Sequence, residues 1–327
     1  MTPSSSRPRV LQNLRLMPAL EARLASAFDM HRLTDEADPK AFLAAHGAAF
    51  TGLVTSAAVG VDAALIDALP KLRVISSFGV GLDKLDLAAA QRRGIAVGYT
   101  PDVLNDCVAD LAFGLMLDAA RGLSAADRYV RRGAWLGAGT PASAPFPLGR
   151  KVSGARLGIV GLGRIGSTIA RRASGFDMSV RYHNRRPVEG APWPHEPSLL
   201  ALAEWADYLV IIAAGGAGTR HLVDAEVLDA LGPRGFLINV SRGSVIDEAA
   251  LVRALVDKRI AGAGLDVFEH EPQVPQELLA LDNVVLLPHI ASGTVETRQA
   301  MADRVFDNLQ LFLSEGRLVS AAPPPAV

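Results

Sequence analysis

The chain has 327 residues, half of them hydrophobic, and a formal net charge of −1. That length exceeds one ordinary core and predicts two domains, while the near-neutral charge gives no basis for binding nucleic acid or an acidic surface. The single cysteine, Cys107, excludes an internal disulfide and fits a reducing compartment, so a cytoplasmic location is expected, with Cys107 read as a packed small residue.

Met1 to Arg9 is rich in Ser, Pro and Arg, with no acid before Glu21. Asn13 and Arg15 interrupt the apolar stretch that a secretory signal needs. A short disordered tail is therefore expected, with a transit peptide as the alternative. Val10 to Leu14 reads as a strand, and Ala19 to Ala27 has helical periodicity. Leu53 to Thr55 is a short apolar run, and Lys71 to Phe78 and Ile95 to Tyr99 read as strands, with Leu85 to Arg93 helical between them. Strands alternating with helices predict a parallel sheet with helical crossovers.

Asp102 to Arg132 is a long helical candidate, started by Pro101 and weakened near Arg121-Gly122. Val108, Leu111, Ala112, Leu115 and Ala119 carry its apolar face. Ala134 to Gly149 is rich in Gly, Ala and Pro and reads as a loop. Strands are then expected at Ala155–Val160, Ser179–Tyr182, Tyr208–Ala213, Gly235–Val240, Gly262–Val267 and Val284–Leu287, a full doubly wound sheet. The apolar run from Tyr208 ends at Gly215-Gly216, too short to span a membrane. The last helix, Val295 to Leu313, follows the completed sheet and is expected to cross back to the N-terminal unit. The expected domains are 1–99 with 291–327, and 100–290. Ala321 to Pro325 reads as an unstructured tail.

Gly161-Leu162-Gly163-Arg164-Ile165-Gly166 lies between the strand ending at Val160 and a helix opening at Ser167. In that context GxGxxG is a dinucleotide-binding fingerprint. The glycines allow the tight turn, the approach of backbone to pyrophosphate and close helix packing, and the helix N-terminus favours the phosphates. An NAD-selective site places a carboxylate at the end of the second strand. Here that strand leads into His183-Asn184-Arg185-Arg186, with Asn184 18 residues after Gly166. An amide and two guanidinium groups suit a 2′-phosphate, so NADPH is expected over NADH; a solvated basic turn is the alternative.

Ligands of a doubly wound sheet sit at the carboxyl ends of its strands. Three motifs fall there: Ser241-Arg242-Gly243, Asp266-Val267-Phe268-Glu269-His270-Glu271-Pro272, and Pro288-His289-Ile290-Ala291-Ser292. A guanidinium holds a carboxylate in bidentate fashion. A His beside a carboxylate is oriented as a general acid, and a nicotinamide supplies hydride. These are the parts needed to reduce a 2-keto acid. The alternatives are a surface turn for Arg242, a packed core histidine for His289, and Glu269 in place of Glu271. His31, His46, His183, His195, His221 and His270 lie outside any motif and are read as structural. The Glu-His-Glu triplet at 269–271 has no second ligand cluster, so no metal is expected.

With Ser77 to Asp83, Thr100 to Leu104, Ile238 to Gly243 and Leu265 to Phe268 added, the chain resembles the D-isomer-specific 2-hydroxyacid dehydrogenase family over nearly its whole length. The resemblance implies two Rossmann-like α/β domains, each a doubly wound parallel sheet, with the active site in the cleft between them. It implies that Arg242 binds the substrate carboxylate and keto oxygen. It makes His289 the proton donor and Glu271 its partner, and gives the backbone of Val80 and Gly81 to the substrate carboxylate. Asp266 is implied to face the nicotinamide amide, Val240, Ser241 and Ser292 to line the cofactor site, and the long helix after Thr100-Pro101 to form a homodimer interface. Ala109 to Leu111, Tyr129 to Trp135 and Ser292 to Arg298 resemble the glyoxylate/hydroxypyruvate and hydroxyphenylpyruvate reductase branch. Phe146 is a candidate for the aromatic residue that some relatives send into a partner's active site. Relatives often carry Pro-Leu-Thr-Pro after the strand at 208–212; the Ala213 to Thr219 run here leaves cofactor contacts at Ala213 and Ala214 doubtful.

Other functions on this fold are a dinucleotide-sensing corepressor-like protein, a reductase of larger aryl or sugar-derived 2-keto acids, and phosphoglycerate dehydrogenase. The chain lacks the long tails the first would favour, and after Leu313 it has no room for the regulatory domain of the last. A hydrolase would need a further nucleophile or metal set.

Overall fold

The structure, a computed structural model, describes residues 7–136 and 146–325. The chain divides into two compact units, Met1–Leu104 with Thr294–Val327, and Asn105–Gly293.

The first unit opens with β1 (Arg9–Gln12), α1 (Pro18–Ala27), β2 (Asp29–Arg32), α2 (Pro39–His46) and β3 (Gly52–Ser56). It continues through α3 (Ala63–Asp67), β4 (Val74–Phe78), α4 (Leu87–Arg92) and β5 (Ala96–Gly98). All five strands are parallel, in the order β2-β1-β3-β4-β5. Each short helix is started by its own sequence. Pro18 and Pro39 stand in first turns, and the carboxylates of Asp38, Asp62 and Asp86 accept the N–H groups of Ala41, Leu65 and Ala89. β3 and β4 are buried along their whole length, as a central parallel strand with both faces covered must be.

The second unit starts with α5 (Asn105–Arg121) and α6 (Leu123–Arg131), separated by Gly122 in the left-handed conformation. The long helical segment thus breaks at Gly122 as expected, but begins at Asn105 rather than just after Pro101. Asp102 at φ 71° keeps the intervening residues out of the helix. Next come β6 (Arg156–Val160), α7 (Arg164–Ala173), β7 (Ser179–His183), α8 (Leu199–Trp205), β8 (Tyr208–Ile211) and α9 (Ala225–Leu231). The unit closes with β9 (Phe236–Asn239), α10 (Glu248–Val256), β10 (Gly262–Leu265), α11 (Gln276–Leu279) and β11 (Val284–Leu286). The six parallel strands run β11-β10-β9-β8-β6-β7. The order reverses beside β6, which is where an open α/β sheet offers a crevice for ligands.

The chain then returns to the first unit as α12 (Val295–Glu315), packed on β3, β4, β5 and α1. Its crossing back matches the expectation. Ser76 Oγ donates to the Val305 carbonyl at 3.0 Å, and buried Asn308 accepts from Val319 and Ser320 while donating to the Tyr99 carbonyl. Ala321 and Ala322, expected to be unstructured, instead pair with β5 through the Gly98–Ala321 bridge and the bond from Ala322 N–H to the Val97 carbonyl. Part of the expected 134–149 loop lies outside the described residues. No helix among the described residues is long and apolar enough to cross a membrane.

Candidate functional site

The strands of the second unit end on one edge, and their connecting loops carry the site. The glycine turn joins β6 to α7, whose first residue is Arg164 rather than Ser167. A Cβ on Gly166 would lie 2.2 Å from the Gly161 carbonyl oxygen, and one on Gly161 would lie 2.7 Å from Ala213 N. The turn is therefore closed against its own backbone and against the end of β8. At Gly163 a Cβ would meet nothing within 4 Å, and no side chain caps the helix. An open, uncapped helix N-terminus beyond a tightly packed turn fits a pyrophosphate.

Asn184 follows β7. Its Oδ1 accepts the Leu162 N–H at 2.7 Å, and its carbonyl accepts from His195 Nε2 at 2.9 Å. His183 Nδ1 likewise meets the Glu196 carbonyl at 3.0 Å. With Oδ1 committed to Leu162, the amide NH2 is what Asn184 has left for a ligand. Arg185 and Arg186 are exposed, and no ion pair among the described residues engages them. Ala214 and Thr219 close the loop after β8 on itself, with the Thr219 hydroxyl donating to the Ala214 carbonyl at 2.6 Å.

β9 delivers Val240, Ser241 and Arg242. Buried Asn239 organises this turn: its Oδ1 accepts from Ser241 N and Oγ, and its Nδ2 donates to the Arg242 carbonyl. Arg242 is half-buried and donates from Nη1 to the Ser241 carbonyl. Gly243 permits the closest approach in the site, because a Cβ there would sit 1.9 Å from the Phe268 carbonyl carbon. The loop bearing Arg242 thus lies directly on the segment bearing Glu271.

β11 delivers His289, held at φ 54°. Its Nδ1 lies 2.8 Å from Glu271 Oε2, while Glu271 Oε1 accepts the Phe268 N–H at 3.2 Å. An ionised carboxylate only accepts, so Nδ1 carries a hydrogen and Nε2 is the nitrogen left for chemistry. Burial pushes the Glu271 carboxyl up. The hydrogen bond and charge of His289, the Phe268 N–H and the Arg242 charge outweigh it and hold the group below the usual carboxylate range. Glu269, the competing carboxylate, points elsewhere and bonds Arg220 and His221. Asp266 is fully buried, and its two oxygens accept the N–H groups of Ile290 and Ala291 at 2.7 and 2.8 Å. Its carboxylate thus holds the His289 loop, a use the motif did not reveal. Ser292 ends the same loop, half-buried.

In the first unit, Val80 and Gly81 follow β4 and are half-exposed. Gly79 beside them donates to the buried Thr100 hydroxyl at 3.1 Å and accepts the Thr100 N–H at 3.0 Å, which fixes the start of that loop. Phe146 packs on Tyr129. Among the described residues no group of three or more His, Cys, Asp or Glu could hold a metal ion. The contacts of Asn239, Arg220, His221 and Thr100 were not assigned from the sequence, because each is made to a backbone group or to a partner distant in sequence.

A family model for the NAD binding domain of D-isomer specific 2-hydroxyacid dehydrogenases matches residues 113–291. The chain is 47% identical over 305 residues to hydroxyphenylpyruvate reductase of Plectranthus scutellarioides, covering 93% of this chain and 96% of that one. It is 45% identical over 311 residues to glyoxylate/hydroxypyruvate reductase A of Arabidopsis thaliana, covering 95% and 97%. Among solved structures it is similar to an NADPH-dependent glyoxylate/hydroxypyruvate reductase of Sinorhizobium meliloti in complex with NADP and malonate. That similarity has a TM-score of 0.90 and 44% identity over 98% of this chain and 100% of that one.

The Glu271–His289 geometry carries a pH signature. A depressed carboxylate stays charged until pH falls below its usual range, so the pair is intact above that point and lost below it. Wild-type activity should show an acid limb below the ordinary glutamate range. Glu271→Gln should abolish that limb and lower kcat by about 10²- to 10⁴-fold. A pH–rate profile identical to wild type would dissolve the pair.

Proposed function

The chain belongs to the D-isomer specific 2-hydroxyacid dehydrogenase family, and from that premise we propose that it reduces a small 2-keto acid of the glyoxylate or hydroxypyruvate kind to the D-2-hydroxy acid, with NADPH as the preferred coenzyme. The observation that carries the reading is the Glu271–His289 pair at 2.8 Å beside Arg242, on loops that follow three parallel strands.

Bound coenzyme supplies the hydride that adds to the keto carbon. Arg242 holds the substrate carboxylate and polarises the keto oxygen by charge-assisted hydrogen bonds. Val80 and Gly81, at the carboxyl end of β4 in the first unit, are proposed as further contacts for that carboxylate. His289 gives the proton on Nε2 to the keto oxygen as negative charge develops there. Glu271 keeps Nδ1 hydrogen-bonded and fixes the ring. The glycine turn from Gly161 to Gly166, with Leu162, Arg164 and Ile165, is proposed to hold the pyrophosphate. Val240, Ser241, Asp266 and Ser292 are proposed to border the nicotinamide end.

Support for NADPH comes from the turn after β7. Asn184 uses Oδ1 on the Leu162 N–H, which leaves its NH2 as the donor for a ligand, and Arg185 and Arg186 are exposed and not ion-paired among the described residues. A homodimer is proposed on the α5–α6 segment. Leu123 and Val130 of α6 are about half exposed, and Leu136 just beyond is 92% exposed. Such apolar surface favours burial against a second copy.

Arg242→Ala should lose about 10²- to 10⁴-fold in kcat/KM, corresponding to roughly 3–5 kcal/mol for an unpaired charged contact, while NADPH binding by fluorescence is retained. Near-normal kcat/KM would remove Arg242 from the site. Coenzyme choice should favour NADPH by on the order of ten- to hundredfold, mostly in KM, from charge-assisted bonds of roughly 1.5–3 kcal/mol. Arg185→Ala with Arg186→Ala should erase most of that preference, and equal use of NADH by wild type would refute it. Light scattering should give a dimer mass that Leu123→Asp with Val130→Asp converts to monomer; a wild-type monomer at all concentrations would end the dimer proposal.

A further inference from the structure

The segment bearing Glu271 has no helix or strand of its own, so something else must hold the carboxylate against His289. Two residues before it, Glu269 is tied down on both its backbone and its side chain. Its N–H donates to Glu248 Oε2 at 3.0 Å, at the start of α10. Its Oε1 accepts from Arg220 Nη2 at 2.7 Å and from His221 Nε2 at 2.9 Å. The Glu269 side chain is only 11% exposed. Burial raises its carboxyl, but the His221 hydrogen bond and charge and the Arg220 guanidinium hold it below the usual range. His221 in turn sits at φ 50° and donates its own N–H to the Ser244 carbonyl at 2.9 Å. One residue therefore bonds the Arg242 loop through its backbone and the Glu271 segment through its ring.

We propose that Arg220, His221 and Glu269 form a positioning clamp that fixes Glu271 against His289 and sets the Arg242 loop relative to both. The proposal rests on the reading of Glu271 and His289 as the acid pair. Glu269 touches no reacting atom in this scheme; it acts through Glu271. Because His221 donates from Nε2 in its neutral form as well as its cationic one, the clamp holds whether or not the ring is protonated. The charged groups that face Glu269 are Arg220 and His221 from the loop after β8 and Glu248 from α10. Glu248 Oε2 accepts the Glu269 backbone N–H, while the Glu269 carboxylate itself takes both side-chain donors.

Displacement of a catalytic group by about 1 Å costs up to 10²-fold in rate. Glu269→Ala and His221→Leu are each expected to lower kcat about 10- to 100-fold, measured per folded molecule, with KM for NADPH changed less than about twofold. The acid limb of kcat should move to higher pH in both, because Glu271 loses the contacts that keep it ionised. Glu269→Gln should recover most of the loss, since its amide oxygen still accepts from both donors. Should Glu269→Ala fail to fold, His221→Leu carries the test alone. A folded Glu269→Ala or His221→Leu protein with wild-type kcat and an unmoved acid limb would overturn the clamp. Glu271→Gln measured alongside keeps the two ideas apart: if it is impaired while the clamp variants are normal, only the clamp falls; if it too is normal, the acid-pair reading falls first.

Discussion

The buried carboxylate of Asp266 is the constraint on which the candidate site's His289 loop depends. It lies at the end of β10 with no exposed surface, yet both its oxygens are used, by Ile290 and Ala291 N–H. Its own carbonyl takes the His289 N–H at 2.9 Å. Three consecutive backbone donors of the His289 loop thus converge on one residue. A non-glycine residue at φ 54° is held there against a cost of roughly 1–2 kcal/mol. Three hydrogen bonds, two of them to a carboxylate, are enough to offset it. The backbone carrying the imidazole is thereby fixed independently of the Glu271 contact.

Asp266 and Glu271 are pushed in opposite directions by their surroundings. Burial holds Asp266 above the usual aspartate range despite two N–H donors and the His289 charge. Glu271, nearer solvent and bonded to the imidazole, lies below the usual range. The signs of their stability contributions therefore differ. An aspartate raised in the fold disfavours the folded state once ionised, and this cost fades as pH falls through its folded value. A depressed glutamate favours folding above its unfolded value and loses that contribution on acidification. Paired carboxylates with divergent environments mark an acid–base site. Here the divergence separates the residue that shapes the loop from the residue proposed to partner the proton donor.

Much of this was legible in the sequence because it rests on local pattern. Five of the six strands of the second sheet are largely apolar, and the glycine turn is flanked by a strand and a helix. Arg242, Glu271 and His289 each follow a strand by a few residues. What was not legible rests on partners far away or on backbone. β2, Asp29-Met30-His31-Arg32, has no buried residue and bonds only β1, so an edge strand gives no apolar signal. Ala321 and Ala322 join β5 through backbone groups that small side chains do not advertise. Glu269 and His221 are 48 residues apart, and only the fold reveals that one carboxylate of the Glu-His-Glu triplet faces the imidazole of His289 while the other faces His221.

In the turn after β7, proposed to read the coenzyme, the structural bond and the free polar group fall on different atoms of one side chain. Asn184 spends one amide oxygen on the Leu162 N–H, which joins the end of β7 to the glycine turn. An aspartate could make the same bond, because a carboxylate oxygen accepts the same N–H. What would change is the atom left over: an NH2 donor, which suits a phosphate, would become a carboxylate oxygen, which suits a ribose hydroxyl and repels a phosphate. The scaffold bond and the coenzyme-reading group thus reside on different atoms of one side chain. In the proposed reading, coenzyme preference is then separable from the integrity of the pyrophosphate turn, and the exposed guanidinium groups of Arg185 and Arg186 would add to the choice.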